Sequence, residues 1–296
     1  MKSFEELLTI FQPKGKVKVG FVNALDQSSI ETASDPRIKD YIEPVFLGDK
    51  AKIDSLVKDY QLSHYQVLDV QDDLSAAKLA VEKVHQGEIQ MLCKGKLPSS
   101  HFLRPIVNKE SGIVRSGLLS TVTLLDIPQY PKLLINTDGG MNLNPNFDQK
   151  KIIIRHAIEV MNDIGIQAPK IAVLGATEEV NEKIPSSKDA YDLMKVFSQD
   201  PDFKGSIAGP ISLDLALSQV ASQLKDYHSE VAGQADILIS PDMTTGNILS
   251  KALTVLGKGR LATIVKGAQV PIVMNSRGSS SDEKVFALLL ALFSWR

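Results

Sequence analysis

Short runs of valine, isoleucine and leucine recur along the whole chain, and stretches of helical period separate most of them. KVKVGFV (16–22), EPVFLG (43–48), YQVLDV (65–70), IQMLC (89–93) and LLSTVTLL (118–125) begin the series. KLLIN (132–136), KIAVLG (170–175), GSIAG (205–209), ADILIS (235–240), RLATIV (260–265) and PIVMN (271–275) complete it. Runs of this length, apolar and bounded by glycine or polar residues, read as strands. The clearest helical pattern between them is DQKKIIIRHAIEVMNDIG (148–165), where Ile153, Ala157, Val160, Met161 and Ile164 share one face and Gly165 supplies the stop. DDLSAAKLAVEKVHQG (72–87) is a second, acidic at its start and closed by Gly87. Alternation of this kind buries apolar strands under helices on both faces, so the expected fold class is α/β with a mostly parallel sheet.

The 296 residues suffice for two moderate domains, each with its own core. With 33 basic against 35 acidic residues, nothing in the charge balance points to a nucleic-acid or membrane partner. No apolar stretch has the roughly 18 residues of a spanning helix, and MKSFEELLTIFQPKGK carries acids where a signal peptide carries a basic and then apolar run, so a cytoplasmic location is expected. The single cysteine, Cys93, rules out an intrachain disulfide and every zinc pattern built on cysteine pairs. The five histidines show no close ligand spacing, and no metal site is expected.

In an open α/β sheet, ligands bind beyond the carboxyl ends of strands, where the next helix presents unpaired N–H groups. Three strand-to-helix turns carry suitable residues. NSRGSSSDEK (275–284) places Ser276, Arg277 and Gly278 after a strand, with Asp282 and Glu283 opening the last helix. Arginine offers a planar fork of donors for phosphate or carboxylate, which makes this turn a candidate oxyanion site. Either acid would equally favour a helix start with no further function. SPDMTTGNILSKAL (240–253) sets Asp242, Thr245, Gly246 and Asn247 ahead of an apolar helix face, where Gly246 allows close backbone approach; N-capping by a threonine explains the same composition. CKGKLPSS (93–100) supplies Lys94, and Arg104 follows in HFLRPIVNKE as a second candidate anion ligand or a solvated surface arginine. Cys93 could be a nucleophile, though a small core residue is the commoner reading of such a position.

Absent motifs narrow the chemistry. There is no G-x-x-x-x-G-K-[ST] phosphate loop and no G-x-S-x-G elbow. GKGRLA (257–262) follows a helix and precedes a strand, the wrong order for a dinucleotide turn.

Seven stretches, in order, resemble the phosphate acetyltransferase and phosphate butyryltransferase family, and more closely its butyryl branch. They are KGKLPSSHFLRPIVNKESGI, RSGLLSTVTLLDIP, TDGGMNLNPN with its following helix, GIQAPKIAVLGATEEVNEKIPSS, GPISLDLALS, ADILISPDMTTGNILSKAL and KGAQVPIVMNSRG. The resemblance implies two α/β/α domains with an interdomain cleft, similar to isocitrate and isopropylmalate dehydrogenases, and usually a homodimer. By it the first domain comprises residues 1–144 plus 265–296, and the second residues 145–264. The implied reaction exchanges a short acyl group, butyryl or similar, between coenzyme A and inorganic phosphate through a ternary complex. Acyl-CoA, phosphate and acyl phosphate are then its partners, with no permanently bound cofactor.

On this reading Arg277 and Arg104 bind the phosphate and the developing charge, and Ser276 bonds the reacting sulfur or carbonyl oxygen. One of Asp282 and Glu283 serves as base toward the thiol, and the SPDMTTGN turn binds part of the coenzyme or phosphate. Three departures bear on it. The family's butyryl branch usually reads S-R-A-D-S where this chain has S-R-G-S-S, which lacks the early acid at Ser279. Ala208 replaces a frequent aspartate before the Gly-Pro pair, and Gly139 and Gly140 stand where larger small residues are usual. An acetyltransferase and a non-catalytic acyl-CoA or phosphate-binding relative stay open as alternatives. A metal- and nicotinamide-dependent dehydrogenase would require an aspartate cluster that the spacing does not supply.

Overall fold

A computed structural model describes every residue except Gln61, Ser63, Ser276, Arg277 and Arg296. Ser276 and Arg277, the centre of the expected oxyanion turn, thus lie outside the described residues. The chain begins α1 (Phe4–Ile10), β1 (Val17–Val22), α2 (Gln27–Ser34), β2 (Ile42–Gly48), α3 (Lys50–Val57), β3 (Gln66–Asp69), α4 (Asp73–His85), β4 (Met91–Lys94) and α5 (Ser99–Ile106). It continues β5 (Ser120–Asp126), β6 (Leu134–Thr137), α6 (Phe147–Asp163), β7 (Lys170–Leu174), α7 (Pro185–Ser198), β8 (Ser206–Ile211), α8 (Leu213–Leu217) and α9 (Gln219–Leu224). It ends β9 (Ile237–Ile239), α10 (Met243–Val255), β10 (Arg260–Lys266), β11 (Ile272–Val273) and α11 (Ser281–Phe293). Each of the apolar runs expected as a strand contains one, although PIVMN is extended only at Ile272 and Val273.

Two compact units form. One comprises Leu8–Leu119 and Ala262–Arg296, the other Met1–Leu7 and Ser120–Leu261. The first division therefore falls between 119 and 120, not at the expected 144/145, while the second lies close to the expected 264/265. The reason is strand pairing: β5 runs antiparallel to β6, and β6 is parallel to β9, so the residues from Ser120 to Thr137 belong to the second unit's sheet. TDGGMNLNPN is consequently an internal turn of that unit.

The unit that contains β1 orders its strands β3-β2-β1-β4-β11-β10. All neighbours are parallel except β10 and β11. The chain first winds outward, β1 to β2 to β3, and then returns through α4 to place β4 on the other side of β1. The point where the winding reverses, between β1 and β4, is where an open sheet leaves a crevice at its carboxyl edge. Helix α11 packs on β11 and α2, and Val285 to Leu292 are buried without interruption. A helix apolar all round needs cover on every face. Each fully buried leucine there contributes about 1.5 to 3 kcal/mol, and this anchors the turn that precedes the helix.

The other unit orders its strands β5-β6-β9-β7-β8. Its core gathers Leu125, Leu134, Ala172, Ile211, Leu215 and Leu238, among others. Ala208 lies in this same apolar cluster at 4% exposure. The alanine expected to remove a polar group from a ligand cleft is a core residue of β8. No helix of the described residues is long and apolar enough to cross a membrane.

Candidate functional site

In the β1 unit, a cavity of about 540 Å³ opens at the switch point, lined by residues that follow β1, β4 and β11. Two of its walls are turns laced together. Gly95 and Lys96 donate their N–H groups to the carbonyls of Val22 and Asn23, both at 2.9 Å, and Asn23 Nδ2 donates to the Lys96 carbonyl at 2.7 Å. A side chain at position 95 would place its Cβ only 2.5 Å from the Asn23 carbonyl oxygen, so the close approach requires glycine.

The cavity's polar groups come mainly from two helix starts and two strand ends. Asp26 caps α2, its two oxygens accepting from the Ser29 N–H at 3.0 Å and the Ser29 hydroxyl at 2.8 Å. Lys94, at the end of β4, donates to the carbonyls of Gly95 (3.3 Å) and Leu97 (3.0 Å). Lys284, from the first turn of α11, donates to the Ser28 hydroxyl. Asn275, just beyond β11, has both amide atoms buried and without a hydrogen-bond partner. Cys93 is also on the wall. Burial, and then the charge of Asp26, push its thiol up to about 12, so at neutral pH it is neither thiolate nor nucleophile.

The expected site residues divide among three places. Lys94 lines this cavity. Gly278 is exposed in the turn that leads to α11. Glu283 is committed to the helix start: the Ser280 hydroxyl accepts from the Glu283 N–H at 3.2 Å, and Glu283 Oε2 accepts from the Ser280 N–H at 3.0 Å, a reciprocal capping box. Asp282 is ion-paired with Arg37. Arg37 in turn grips Asp35 through two 2.9 Å bonds and lies 5.3 Å above the Phe286 ring. The Asp35 hydrogen bonds, and then Asp282, hold the guanidinium's pKa well above its ordinary value against the opposing effect of burial.

Arg104 lies elsewhere in the same unit, exposed on the last turn of α5. It lines a separate hollow of about 600 Å³ with Lys78, Glu82 and His85 of α4. The structure does not bring Arg104 and Lys94 to one cavity.

Asp242, Thr245, Gly246 and Asn247 belong to the other unit, at the start of α10. Asp242 caps the helix, accepting from the Thr245 N–H at 2.8 Å. Gly246 is packed against the TDGG turn so closely that an added Cβ would lie 2.7 Å from the Asp138 carbonyl oxygen. Asn247 Nδ2 donates to the Gly139 carbonyl at 3.0 Å. Gly140 lies against the Thr121 side chain. Asp138, 2% exposed, accepts from the Gly140 and Met141 N–H groups at 2.8 and 3.0 Å, and from the side chains of Thr121 and Asn142. The glycines at 139 and 140 thus permit turn-on-turn packing, and of the four expected residues Thr245 is the one with an exposed side chain.

Asp26, Asn275 and Lys284 are cavity residues that sequence reading did not single out. Asp26 had a usable signal, since it follows the strand KVKVGFV in a D-x-x-S cap, the same strand-to-helix position that drew attention to the other turns. Among the described residues, no group of three or more histidine, cysteine, aspartate or glutamate side chains could hold a metal ion.

Comparison with known proteins agrees along the whole chain. The family model described as phosphate acetyl/butaryl transferase matches residues 66–292. A phosphate acetyltransferase of Thermotoga maritima is 35% identical over 290 residues, 97% of this chain and 98% of that protein. A phosphate butyryltransferase of Clostridium beijerinckii is 33% identical over 293 residues, 98% of this chain and 97% of that protein. Among solved structures, a branched-chain phosphotransacylase from Enterococcus faecalis V583 gives a TM-score of 0.84 at 28% identity, covering 94% of this chain and 98% of that one. A 4-hydroxythreonine-4-phosphate dehydrogenase from Klebsiella pneumoniae, 11% identical with a TM-score of 0.56 over 95% of this chain and 100% of that one, shares the fold alone. The architecture is therefore common to acyl transferases and a dehydrogenase, and sequence identity separates them. The chain belongs to the phosphate acetyl/butaryl transferase family.

Proposed function

We propose that this protein transfers a short acyl group, butyryl or similar, reversibly between coenzyme A and inorganic phosphate. The observation that carries this reading is the end-to-end match to relatives named for that transfer, one acetyl and one butyryl, at 35% and 33% identity. The cationic cavity at the β1/β4 switch point supports it. In the phosphorolytic direction a phosphate oxygen attacks the thioester carbonyl carbon, the C–S bond breaks, and its electron pair leaves on sulfur as thiolate. In the reverse direction the coenzyme thiol, with a pKa of about 8.5, gives its proton to a carboxylate and attacks the acyl phosphate carbonyl, expelling phosphate. Both substrates are already activated, so neither ATP nor a resident cofactor enters the scheme.

In this reading Arg277 stabilises phosphate and the tetrahedral oxyanion, and Ser276 donates to the reacting sulfur or oxygen. The base is Asp282 or Glu283. The raised pKa of buried Cys93 supports direct transfer in a ternary complex over an acyl-enzyme on that thiol. The hollow of Arg104, Lys78 and His85 suits a phosphate of the coenzyme, and Thr245 is open to ligand on α10. A homodimer fits the outer faces of α9 and α10, where Val220, Leu224, Ile248, Val255 and Leu256 are 62–83% exposed. A cytoplasmic location accords with a coenzyme A-dependent reaction.

Phosphate-dependent release of coenzyme A from acetyl-, propionyl-, butyryl- and isobutyryl-CoA tests the reading and ranks the acyl groups. Arg277→Ala should lower the rate about 100-fold or more. Full activity in that variant removes Arg277 from the mechanism.

A further inference from the structure

We propose that Lys284 and Asn275 hold the inorganic phosphate in the β1 unit's cavity, a role that rests on the acyl-transfer reading. The argument begins with charge. Lys94, Lys96 and Lys284 line the cavity against one carboxylate, Asp26, whose two oxygens are both turned to Ser29. Lys284 directs one donor to the Ser28 hydroxyl, and an ammonium carries three. The cavity thus favours an anion, in a volume of about 540 Å³ that admits one beside a larger acyl group.

Asn275 narrows the choice of anion. Its Nδ2 donor and Oδ1 acceptor are both buried with no partner, a condition that native structures rarely leave without water or ligand. A ligand that satisfies both must accept and donate within one small group. A thioester carbonyl only accepts, and so does fully ionised sulfate. Inorganic phosphate at neutral pH keeps a P–OH beside its charged oxygens, so it can donate to Oδ1 while accepting from Nδ2. Asn275 also directly precedes Ser276 and Arg277, the residues assigned to the transfer, in the chain.

The experiment compares Lys284→Met, Lys284→Arg and Asn275→Leu with the unsubstituted protein. Phosphate is varied at saturating acyl-CoA, and acyl-CoA at saturating phosphate. Lys284→Met and Asn275→Leu should each raise the phosphate KM about tenfold or more, with the acyl-CoA KM within about twofold, and Lys284→Arg should recover most of the loss. Calorimetric titration with inorganic phosphate gives the same ranking without turnover, and circular dichroism establishes that each variant is folded. An unchanged phosphate KM in folded variants overturns the assignment, as does an equal rise in both KM values, which marks a structural role. Absence of phosphate-dependent coenzyme A release by the unsubstituted protein overturns the acyl-transfer reading instead. In that case, phosphate binding weakened by Lys284→Met would still support the site.

Discussion

Asn136 and Asn275 are the same side chain at the same kind of place, the carboxyl end of a strand, one in each unit. At Asn136 every polar atom is used. Its Nδ2 donates to the Gly246 carbonyl and the Ser250 hydroxyl, both at 2.8 Å, and its Oδ1 accepts from the Ser240 hydroxyl at 2.9 Å. At Asn275 neither amide atom has a partner, although both are buried. One asparagine is finished by its own unit and therefore builds scaffold; the other belongs to the cavity lining with both amide atoms unpaired. The contrast extends to the surrounding turns. Asp138, Asn247 and Gly246 knit two turns of one unit together. The lysines of the other unit surround open volume.

The sharpest way to break this comparison is to remove the centre of the closed turn. Asp138→Ala would remove the acceptor of the Thr121 and Asn142 side chains and of the Gly140 and Met141 N–H groups in a site 2% exposed. A loss of about 3 to 4 kcal/mol is expected, on the order of 10 °C in melting temperature. Thermal unfolding of a stable Asp138→Ala protein with an unshifted midpoint would show that the turn is not the scaffold its bonding indicates.

The asparagines themselves give the next contrast. Asn136→Leu strands three partners and should cost about 2 to 3 kcal/mol, whereas Asn275→Leu deletes two unsatisfied atoms and should stay within about 1 kcal/mol of zero. Urea titrations of both variants measure the difference directly. Equal losses would mean that Asn275 is structurally engaged, and the cavity would lose its strongest indication of a ligand.

How much of this was legible beforehand depends on what each kind of residue reports. The strands were legible because burial on both faces demands continuous apolar runs, a local signal. The division at 119/120 was not, because it follows from β5 pairing with β6 and β6 with β9, contacts that no local composition encodes. Lys94 was singled out from its position after a strand, and the structure sets it on the cavity wall. Asp242, Gly246 and Asn247 were picked by the same rule, yet the structure uses them for capping and turn packing. Residues that cap, that pack backbone to backbone and that bind anions share one composition, and only their partners tell them apart. Lys284 was passed over for the opposite reason: in a helix's first turn it reads as surface charge until Ser28 and the cavity wall appear beside it.

Glu283 sharpens the comparison on a smaller scale, because one side chain can cap and catalyse. Glu283→Ala should cost about 1 kcal/mol by loss of the capping box, and Glu283→Gln almost nothing, since glutamine completes the same box. Turnover then separates the roles. If Glu283 is the base, Glu283→Gln is folded and stable but slow in the thiol-consuming direction. If Asp282 is the base, Asp282→Asn is the slow variant and Glu283→Gln keeps its rate.

The smallest effect tests whether satisfaction matters without burial. Glu5 meets Arg260 through bonds of 2.6 and 2.8 Å, as fully paired as Asn136, but its side chain is 61% exposed. The Arg260 hydrogen bonds lower its pKa from 4.5 to about 2. A carboxylate whose folded pKa lies below its unfolded value contributes stability that is complete above about pH 4.5 and lost as the pH falls toward 2. Because solvent screens the pair, Glu5→Gln should cost no more than about 0.5 kcal/mol at neutral pH. The variant should also flatten the slope of stability against pH between 4.5 and 2, measured by denaturant unfolding at each pH, while leaving the neutral region parallel to the unsubstituted protein. A loss as large as that of Asn136→Leu would show that pairing alone, exposed or buried, sets the value of a polar group here.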